Sequence, residues 1–217
     1  MTNSERKIYC FLGLPASGKG TQVEIFAKER KTKSFGMGDL IRAEIESADL
    51  SDPFYKKMKE EYDKGNPQPD SIAIDLVQKC LEYSTGTVIL DNFPFSTKQA
   101  EMFFEACRAL HIVKPCLIIV NVSKEEALTR AMKRKVCSGC GSIYVGSEEN
   151  ICSKCGAALI TRADDNESTV ATRLDKYIPR IDEVRKVFLS KGIVLEINGE
   201  QSIEGVASEI ALKVSEV

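Results

Sequence analysis

The chain has 217 residues, of which 43% are hydrophobic and 29% are charged, an ordinary composition for a globular protein in water. Its 30 basic and 32 acidic residues leave a net charge of −2, which argues against a polyanionic partner such as nucleic acid. The N-terminal residues are polar and the apolar runs are short, so neither a signal peptide nor a membrane span is expected. These features predict a cytosolic protein, and we expect it to be a monomer.

Short apolar segments alternate along the chain with longer segments of helical periodicity. This alternation is typical of an α/β fold, in which crossover helices join parallel strands. Five strands are predicted, at Lys7–Leu12, Lys33–Phe35, Thr87–Asp91, Cys116–Asn121 and Ile193–Ile197. Six helices are predicted, at Lys19–Lys31, Ser71–Tyr83, Ser96–Leu110, Lys124–Arg134, Ser168–Ser190 and Ile203–Ser215.

Two stretches interrupt the alternation of strands and helices. Residues 37–69 contain only helical and turn patterns, and residues 129–167 are rich in glycine, cysteine and serine. We interpret both as insertions carried by a core of residues 1–36, 70–128 and 168–217. The sequence therefore predicts one parallel five-stranded sheet with helices on both faces and two small added units.

A phosphate-binding loop is predicted between the first strand and the first helix. Glycines in this position allow backbone N–H groups to surround a phosphate, and the helix N-terminus adds its positive dipole. Lys19 can reach the β- and γ-phosphates of a nucleotide as a point charge, although Gly20 stands where the strict pattern has serine or threonine. The candidate triphosphate-binding residues are Gly13, Pro15, Ala16, Ser17, Gly18, Lys19, Gly20 and Thr21. The loop indicates a P-loop NTPase fold.

Asp91 ends the predicted strand Thr87–Asp91. Carboxyl ends of parallel strands meet at the edge of the sheet where a phosphate loop lies. A carboxylate there is a suitable ligand for Mg²⁺ or for its water shell. We therefore expect Asp91 to act in a magnesium-dependent nucleotide site.

The eight cysteines fall into two groups. Cys137, Cys140, Cys152 and Cys155 form two Cys-x-x-Cys-Gly turns, and such turns predict a tetrahedral structural zinc site. The zinc would replace the hydrophobic core that so small an insertion lacks. Four further cysteines have apolar neighbours and are expected to be inert buried residues: Cys10, Cys80, Cys107 and Cys116. The single histidine, His111, is expected to be structural.

The ordered set of motifs resembles the adenylate kinase family over almost the whole chain. Residues Gly13–Thr21 resemble the family's GxPGxGKGT loop, and Gly38-Asp39-Leu-Ile-Arg42 is similar to its TGDxxR segment. Leu90–Pro94 with Gln99 resembles the DGFPR…Q segment. The resemblance extends to arginines that flank the cysteine-rich insertion: Arg130, Arg134, Arg162 and Arg173.

This resemblance implies transfer of the ATP γ-phosphoryl group to a nucleoside monophosphate, AMP before others, with Mg²⁺ and without a protein nucleophile. Arg130 would stack on the adenine of ATP, and the other arginines would contact phosphates. The implied catalytic residues are Lys19, Asp91, Arg134, Arg162 and Arg173. The implied acceptor site comprises Gly38, Asp39, Arg42, Gln68, Asn92, Phe95, Gln99, Arg162 and Arg173.

The acceptor site departs from the family at two positions. Met37 stands where the family has threonine, and Phe95 stands where it has an arginine that grips the AMP phosphate. Loss of such a bidentate contact costs about 2–4 kcal/mol, and Lys98 is a candidate for partial replacement of the charge. Three interpretations follow: an adenylate kinase with weakened AMP affinity, a kinase for another small acceptor, or a nucleotide-binding relative with little turnover.

Overall fold

The computed structural model describes residues 6–63, 68–84, 86–112, 114–161 and 166–217, and within them it contains eight strands and eight helices. The strands are β1 (Ile8–Gly13), β2 (Ser34–Gly36), β3 (Val88–Asp91), β4 (Cys116–Asn121), β5 (Arg134–Cys137), β6 (Ile143–Val145), β7 (Leu159–Ile160) and β8 (Ile193–Asn198). The helices are α1 (Lys19–Glu29), α2 (Met37–Ser47), α3 (Pro53–Asp63), α4 (Asp70–Tyr83), α5 (Thr97–Ala109), α6 (Lys124–Met132), α7 (Glu167–Lys191) and α8 (Ile203–Ser215).

Five strands form the predicted parallel sheet, in the order β2-β3-β1-β4-β8. Strand β1 lies at the centre, between β3 and β4. Because all five strands run the same way, their carboxyl ends meet at one edge, and a crevice forms there where the strand order changes direction. The loop after β1 and the side chain of Asp91 at the end of β3 therefore lie at the same edge. The predicted α/β fold is confirmed.

Alternate residues of the strands supply two apolar layers, one on each face of the sheet. Cys10 and Leu12 face a cluster that includes Phe103 of α5 and Phe188 of α7. Phe11 faces a second cluster, which includes residues of α1 and α8. The helices on both faces therefore fix β1 and the loop that follows it.

The two predicted insertions have different structures. Helices α2 and α3 pack around a small cluster in which Ile41, Ile45 and Met58 are buried together with Leu76 of α4. An ion pair of 2.9 Å between Lys79 of α4 and Glu44 of α2 links this unit to the core. The cysteine-rich segment forms an antiparallel sheet in the order β6-β5-β7. None of the described helices is both long enough and apolar enough to cross a lipid bilayer.

One predicted helix boundary is wrong in a way that matters for the site. The helix predicted at Lys124–Arg134 ends at Met132, and Arg134 is instead the first residue of β5. Pairing with Val145 of β6 draws Arg134 into the small sheet, so Arg130 and Arg134 do not share a helix face. The short strand predicted at Lys33–Phe35 lies one residue later, at Ser34–Gly36. Other boundaries agree to within two residues, and the side chains of Ser96 and Ser123 cap the N-termini of α5 and α6.

Candidate active site

The phosphate loop is a compact turn held by its own backbone. Gly18 caps α1 with a φ of 87°, a conformation that glycine adopts without strain. The Ser17 N–H donates to the carbonyl of Leu14 at 3.0 Å, and the Ser17 hydroxyl accepts from the Lys19 N–H at 3.3 Å. Ala16 also has a positive φ, of 65°, although it has a Cβ atom. The loop therefore presents its amides at the N-terminus of α1, as an anion site requires.

Two glycines in this loop differ in the space around them, which leads to a first prediction. A Cβ atom on Gly13 would lie 2.6 Å from Ser17 Oγ and 2.9 Å from the Val120 carbonyl, whereas one on Gly20 would meet nothing within 4 Å. We expect Gly13→Ala to destabilise the fold by about 1–3 kcal/mol through overpacking, and so to lower the Tm by roughly 3–10 °C.

The Gly20→Ala variant is the matched control for Gly13→Ala, because it adds the same methyl group in the first turn of α1. Its Tm should stay the same or rise slightly, since alanine favours helix more than glycine does. Differential scanning calorimetry of both variants measures the difference. Equal Tm values would contradict the close packing of Gly13 against β4.

Lys19 and Asp91 face each other across the crevice. Lys19 Nζ donates to Asp91 Oδ1, and the two side chains are 14% and 26% exposed. The pair joins the phosphate loop to the end of β3, where Asp91 is in register with Phe11 of β1. A cation and a carboxylate, both open to solvent, thus lie together at the mouth of the phosphate loop.

A cavity of about 620 Å³ opens above these two residues. It is lined by the whole phosphate loop, by Asp91 and Asn92, and by residues of α6, α7 and the small sheet. Three predicted arginines line it: Arg130, Arg134 and Arg173. The structure therefore brings the predicted donor-site residues together, even though Arg134 reaches the cavity from a strand and not from α6. Arg162 lies outside the described residues.

Arg130 is fixed by groups on three elements. Its Nε donates to Glu126 on α6 at 2.6 Å, while its Nη1 donates to the Gly199 carbonyl at 3.0 Å and to the Ser17 carbonyl at 3.4 Å. The guanidinium thus lies between the phosphate loop and the loop that follows β8. A planar cation in that place can stack on a flat aromatic ring.

The loop after β8 is a part of the site that we did not predict. Gly199, Gln201, Ser202 and Ile203 line the cavity opposite the small sheet. The buried side chain of Gln22 on α1 donates to the Ile203 carbonyl at 3.0 Å and so ties this loop to the phosphate-loop helix. The sequence could have indicated this loop, because it follows the predicted core strand β8, whose carboxyl end lies at the ligand-binding edge of the sheet.

The predicted acceptor residues Gly38, Asp39, Arg42, Gln68, Phe95 and Gln99 do not line this cavity. Arg42 donates to Asp39 and, at 2.7 Å, to the Tyr62 hydroxyl on α3. The Gln99 amide accepts from the Phe95 N–H and donates to Asp70, both at 2.8 Å. The Gln68 amide donates to the Met58 carbonyl at 3.0 Å. Of the acceptor set, Asn92 and Arg173 are the described members that face the cavity.

Phe95 lies beside the cavity in a half-buried position. Its ring centre is 4.5 Å from that of Tyr177, a residue of α7 that lines the cavity. The guanidinium of Arg180 lies over the same ring, 5.2 Å from its centre. Phe95 also packs against the core cluster on this face of the sheet. The residue that departs from the family pattern is therefore part of a packed group of two rings and a cation.

The four clustered cysteines meet at one point of the small sheet. Their Sγ atoms all lie within 4.8 Å of one another, with Cys137 and Cys155 at 3.3 Å and Cys140 and Cys152 at 3.6 Å. Four sulfurs around Zn²⁺ with bonds of 2.3 Å would be about 3.8 Å apart, so the spacing suits a tetrahedral ion. Gly141 and Gly156, with φ of 71° and 74°, allow the chain to turn back after each pair.

Hydrogen bonds favour the thiolate form, which is the form that binds metal, at two of the four cysteines. The Tyr144 hydroxyl, 3.4 Å from Cys152 Sγ, lowers the pKa of Cys152 to about 6. Hydrogen bonds with Ser142 lower the pKa of Cys140. In contrast, burial raises the pKa of both Cys107 and Cys116 to about 12. The division of the cysteines into a candidate metal group and inert core residues agrees with this chemistry.

A five-stranded parallel sheet with a phosphate loop, a strand-terminal aspartate and arginines around one cavity defines a P-loop nucleotide-binding protein of the phosphotransferase class. The family model described as adenylate kinase matches residues 11–193. An adenylate kinase from Desulforamulus reducens is 35% identical, and the match covers 94% of this chain and 97% of the relative. Those from Archaeoglobus fulgidus and Dehalococcoides mccartyi (strain BAV1) are 34% and 38% identical over 92% of this chain and 94% of each relative. The chain belongs to the adenylate kinase family, and the prediction of a nucleoside monophosphate kinase is confirmed.

Proposed function

We propose that the chain transfers the γ-phosphoryl group of ATP to AMP through the site around Lys19, Asp91 and the three described arginines. The single observation that supports this most strongly is the shared cavity, because it places a phosphate loop, a lysine and three guanidinium groups around one space. Phosphoryl transfer needs chiefly this kind of positioning and charge neutralisation. The relatives named above are adenylate kinases, which supports AMP as the acceptor.

The phosphate loop, Lys19 and the arginines of the cavity have distinct proposed tasks. The amides of Gly13–Thr21 hold the β-phosphate, and Lys19 exchanges its bond with Asp91 for the β- and γ-oxygens of the nucleotide. Arg130, fixed against Gly199, stacks on the adenine ring. Arg134 and Arg173 neutralise the charge that develops on the transferring group. Arg162 belongs to the same predicted set.

Mg²⁺ is the proposed partner of ATP, since adenylate kinases use it. When bound, it neutralises charge on the donor phosphates. Asp91 is suited to hold the ion or its water shell, because its carboxylate lies at the phosphate loop and would be released when Lys19 turns to the nucleotide. Zn²⁺ is the proposed ion of the four-cysteine cluster, where four sulfur ligands leave no position for substrate and imply a structural role.

The two insertions, residues 37–69 and 129–167, are proposed to close over the substrates and exclude water. Ile143 and Val145 support this for the second insertion, because both line the cavity and are about half exposed. Covering them on closure would bury apolar surface and remove water from the reacting phosphates. We also propose that the chain acts as a monomer, as the sequence predicts.

The decisive experiment is an ADP-formation assay with Mg·ATP and a panel of AMP, GMP, CMP, UMP and water alone. The expected result is turnover with AMP well above the water control and above the other monophosphates. Turnover with another monophosphate and not with AMP would overturn the proposed acceptor. Calorimetry showing ATP binding with no turnover on any acceptor would overturn the proposal as a whole. Nothing in the structure favours either of these outcomes.

A further inference from the structure

The group formed by Phe95, Tyr177 and Arg180 is not assigned a task by the site described so far. The Phe95 ring occupies the position that carries an arginine in the family pattern, and the Arg180 guanidinium lies on that ring, 5.2 Å from its centre. Resting on the proposed function, we infer that Arg180 supplies the positive charge that holds the phosphate of the acceptor nucleotide, with Phe95 as the platform on which its guanidinium is oriented.

The position of Arg180 along α7 supports this inference. Arg173, Tyr177 and Arg180 are spaced by four and three residues, so their side chains lie on one face of α7. Arg173 and Tyr177 line the nucleotide cavity. Arg180 therefore continues the same face by about one turn, or roughly 5 Å, beyond Tyr177.

The loop between β3 and α5 packs against this face of α7 and connects it to the cavity. This loop begins at Asp91 and Asn92, which line the cavity, and then reaches Phe95, which packs on Tyr177. An acceptor attacking in line must lie on the far side of the transferring phosphoryl group from the phosphate loop. Since Phe95 packs on Tyr177 and carries Arg180 over its ring, we place the acceptor beside this part of the β3–α5 loop.

The available charges point to Arg180 in preference to its neighbours. Arg42 belongs to the implied acceptor site, but it lies on α2, where it pairs with Asp39 and the Tyr62 hydroxyl, and so it does not replace a cation at position 95. Lys98 on α5, the candidate from the sequence, is also exposed, but among the described residues it makes no ring contact that would orient its ammonium group. No carboxylate of the described residues lies within ion-pair distance of Arg180, whose side chain is exposed to solvent.

Stacking on Phe95 suits the task chemically. A guanidinium that lies over an aromatic ring is attracted through its flat face, so the N–H donors at its edge stay available for a phosphate. A planar fork of donors can bind two phosphate oxygens at once, which the point charge of a lysine cannot do. The loss of an arginine at position 95 is thus offset by an arginine from a different element that uses the new ring.

The experiment measures AMP binding by calorimetry and the KM values for AMP and ATP in four variants. Arg180→Ala should raise both the Kd and the KM for AMP about 10- to 100-fold, while the KM for ATP changes less than about twofold. Arg180→Lys should give an intermediate value, because charge remains and the fork is lost. Arg185→Ala is the matched control on the same helix, since Arg185 pairs with Glu196 at 2.6 Å, and it should leave AMP binding unchanged. Lys98→Ala, also expected to be neutral, tests the rival cation.

A double variant tests directly whether Arg180 takes the place of an arginine at position 95. Adding Phe95→Arg to Arg180→Ala should recover at least part of the AMP affinity, because a guanidinium returns to the same space. An unchanged Kd for AMP in Arg180→Ala, or a larger effect in Lys98→Ala than in Arg180→Ala, would overturn the inference. If the unmodified chain binds AMP without producing ADP, the proposed function fails, yet the Kd comparison still decides the role of Arg180. If the chain does not bind AMP, both are overturned.

Discussion

Replacing Lys19 with methionine is expected to lower kcat by at least about 10²–10³-fold, the usual cost of removing one group that stabilises transition-state charge. Methionine keeps much of the length and apolar stem of the side chain but removes the cation that faces the phosphates. The fold should persist, because Lys19 is not a member of either core cluster and its partner Asp91 stays partly exposed to water. Steady-state ADP formation and thermal unfolding, measured on the same preparation, check both parts.

Lys28→Met is the matched control for Lys19→Met, since Lys28 is an exposed lysine in the last turn of the same helix. Its kcat should match that of the unmodified chain. Activity retained in Lys19→Met would refute the assignment of the phosphate loop as the donor site. A large fall in Tm for Lys19→Met would show instead that the ion pair with Asp91 is chiefly structural.

Removing the proposed zinc is expected to unfold the small sheet while leaving the parallel sheet intact. Among its described residues, three are buried in its own cluster, namely Cys137, Cys152 and Leu159, so little apolar burial remains without the ion. Structural zinc in small domains contributes on the order of 10 kcal/mol, far more than this cluster can provide. We expect about one zinc per chain by elemental analysis. After chelation, proteolysis within residues 129–167 should be about tenfold faster or more, since the sheet then lacks its main source of stability.

Loss of the metal should also lower the activity, because Arg134 is held in the cavity by β5 of the small sheet. Cys137→Ser should reproduce the effect of chelation in zinc content, proteolysis and turnover. Cys80→Ser is the control, because it makes the same atomic change in a half-buried cysteine of α4 outside the cluster. An insertion that stays equally resistant to protease after chelation would contradict the structural role of the ion.

The sequence was sufficient for the features that depend on local rules. The glycine pattern at Gly13–Thr21 predicts a local backbone conformation, and the Cys-x-x-Cys-Gly turns predict a set of four sulfur ligands. Both features could therefore be located in the sequence without tertiary information. The alternation of short apolar runs with helical segments likewise predicted the central sheet, because buried parallel strands are continuous apolar runs. These features also proved to contain most of the described donor site.

The features that the sequence did not predict depend on long-range pairing. Arg134 continues a helical pattern by spacing, and only its pairing with Val145 makes it a strand residue. The loop at Gly199–Ile203 has no motif of its own and joins the site through Arg130 and Gln22. The stacking of Arg180 on Phe95 joins residues 85 positions apart, which no local pattern reports.

The placement of the cysteines determines which part of this enzyme is most sensitive to oxidation. All eight lie within the described residues, and burial raises the pKa of Cys10, Cys107 and Cys116, which keeps these core thiols protonated and unreactive. The two cysteines with lowered pKa values, Cys152 and Cys140, both belong to the cluster of the small sheet. Oxidants and electrophiles would therefore attack that unit first. Such damage would halt turnover while sparing the core, so reductant and a fresh ion could restore the small sheet without unfolding of the parallel sheet.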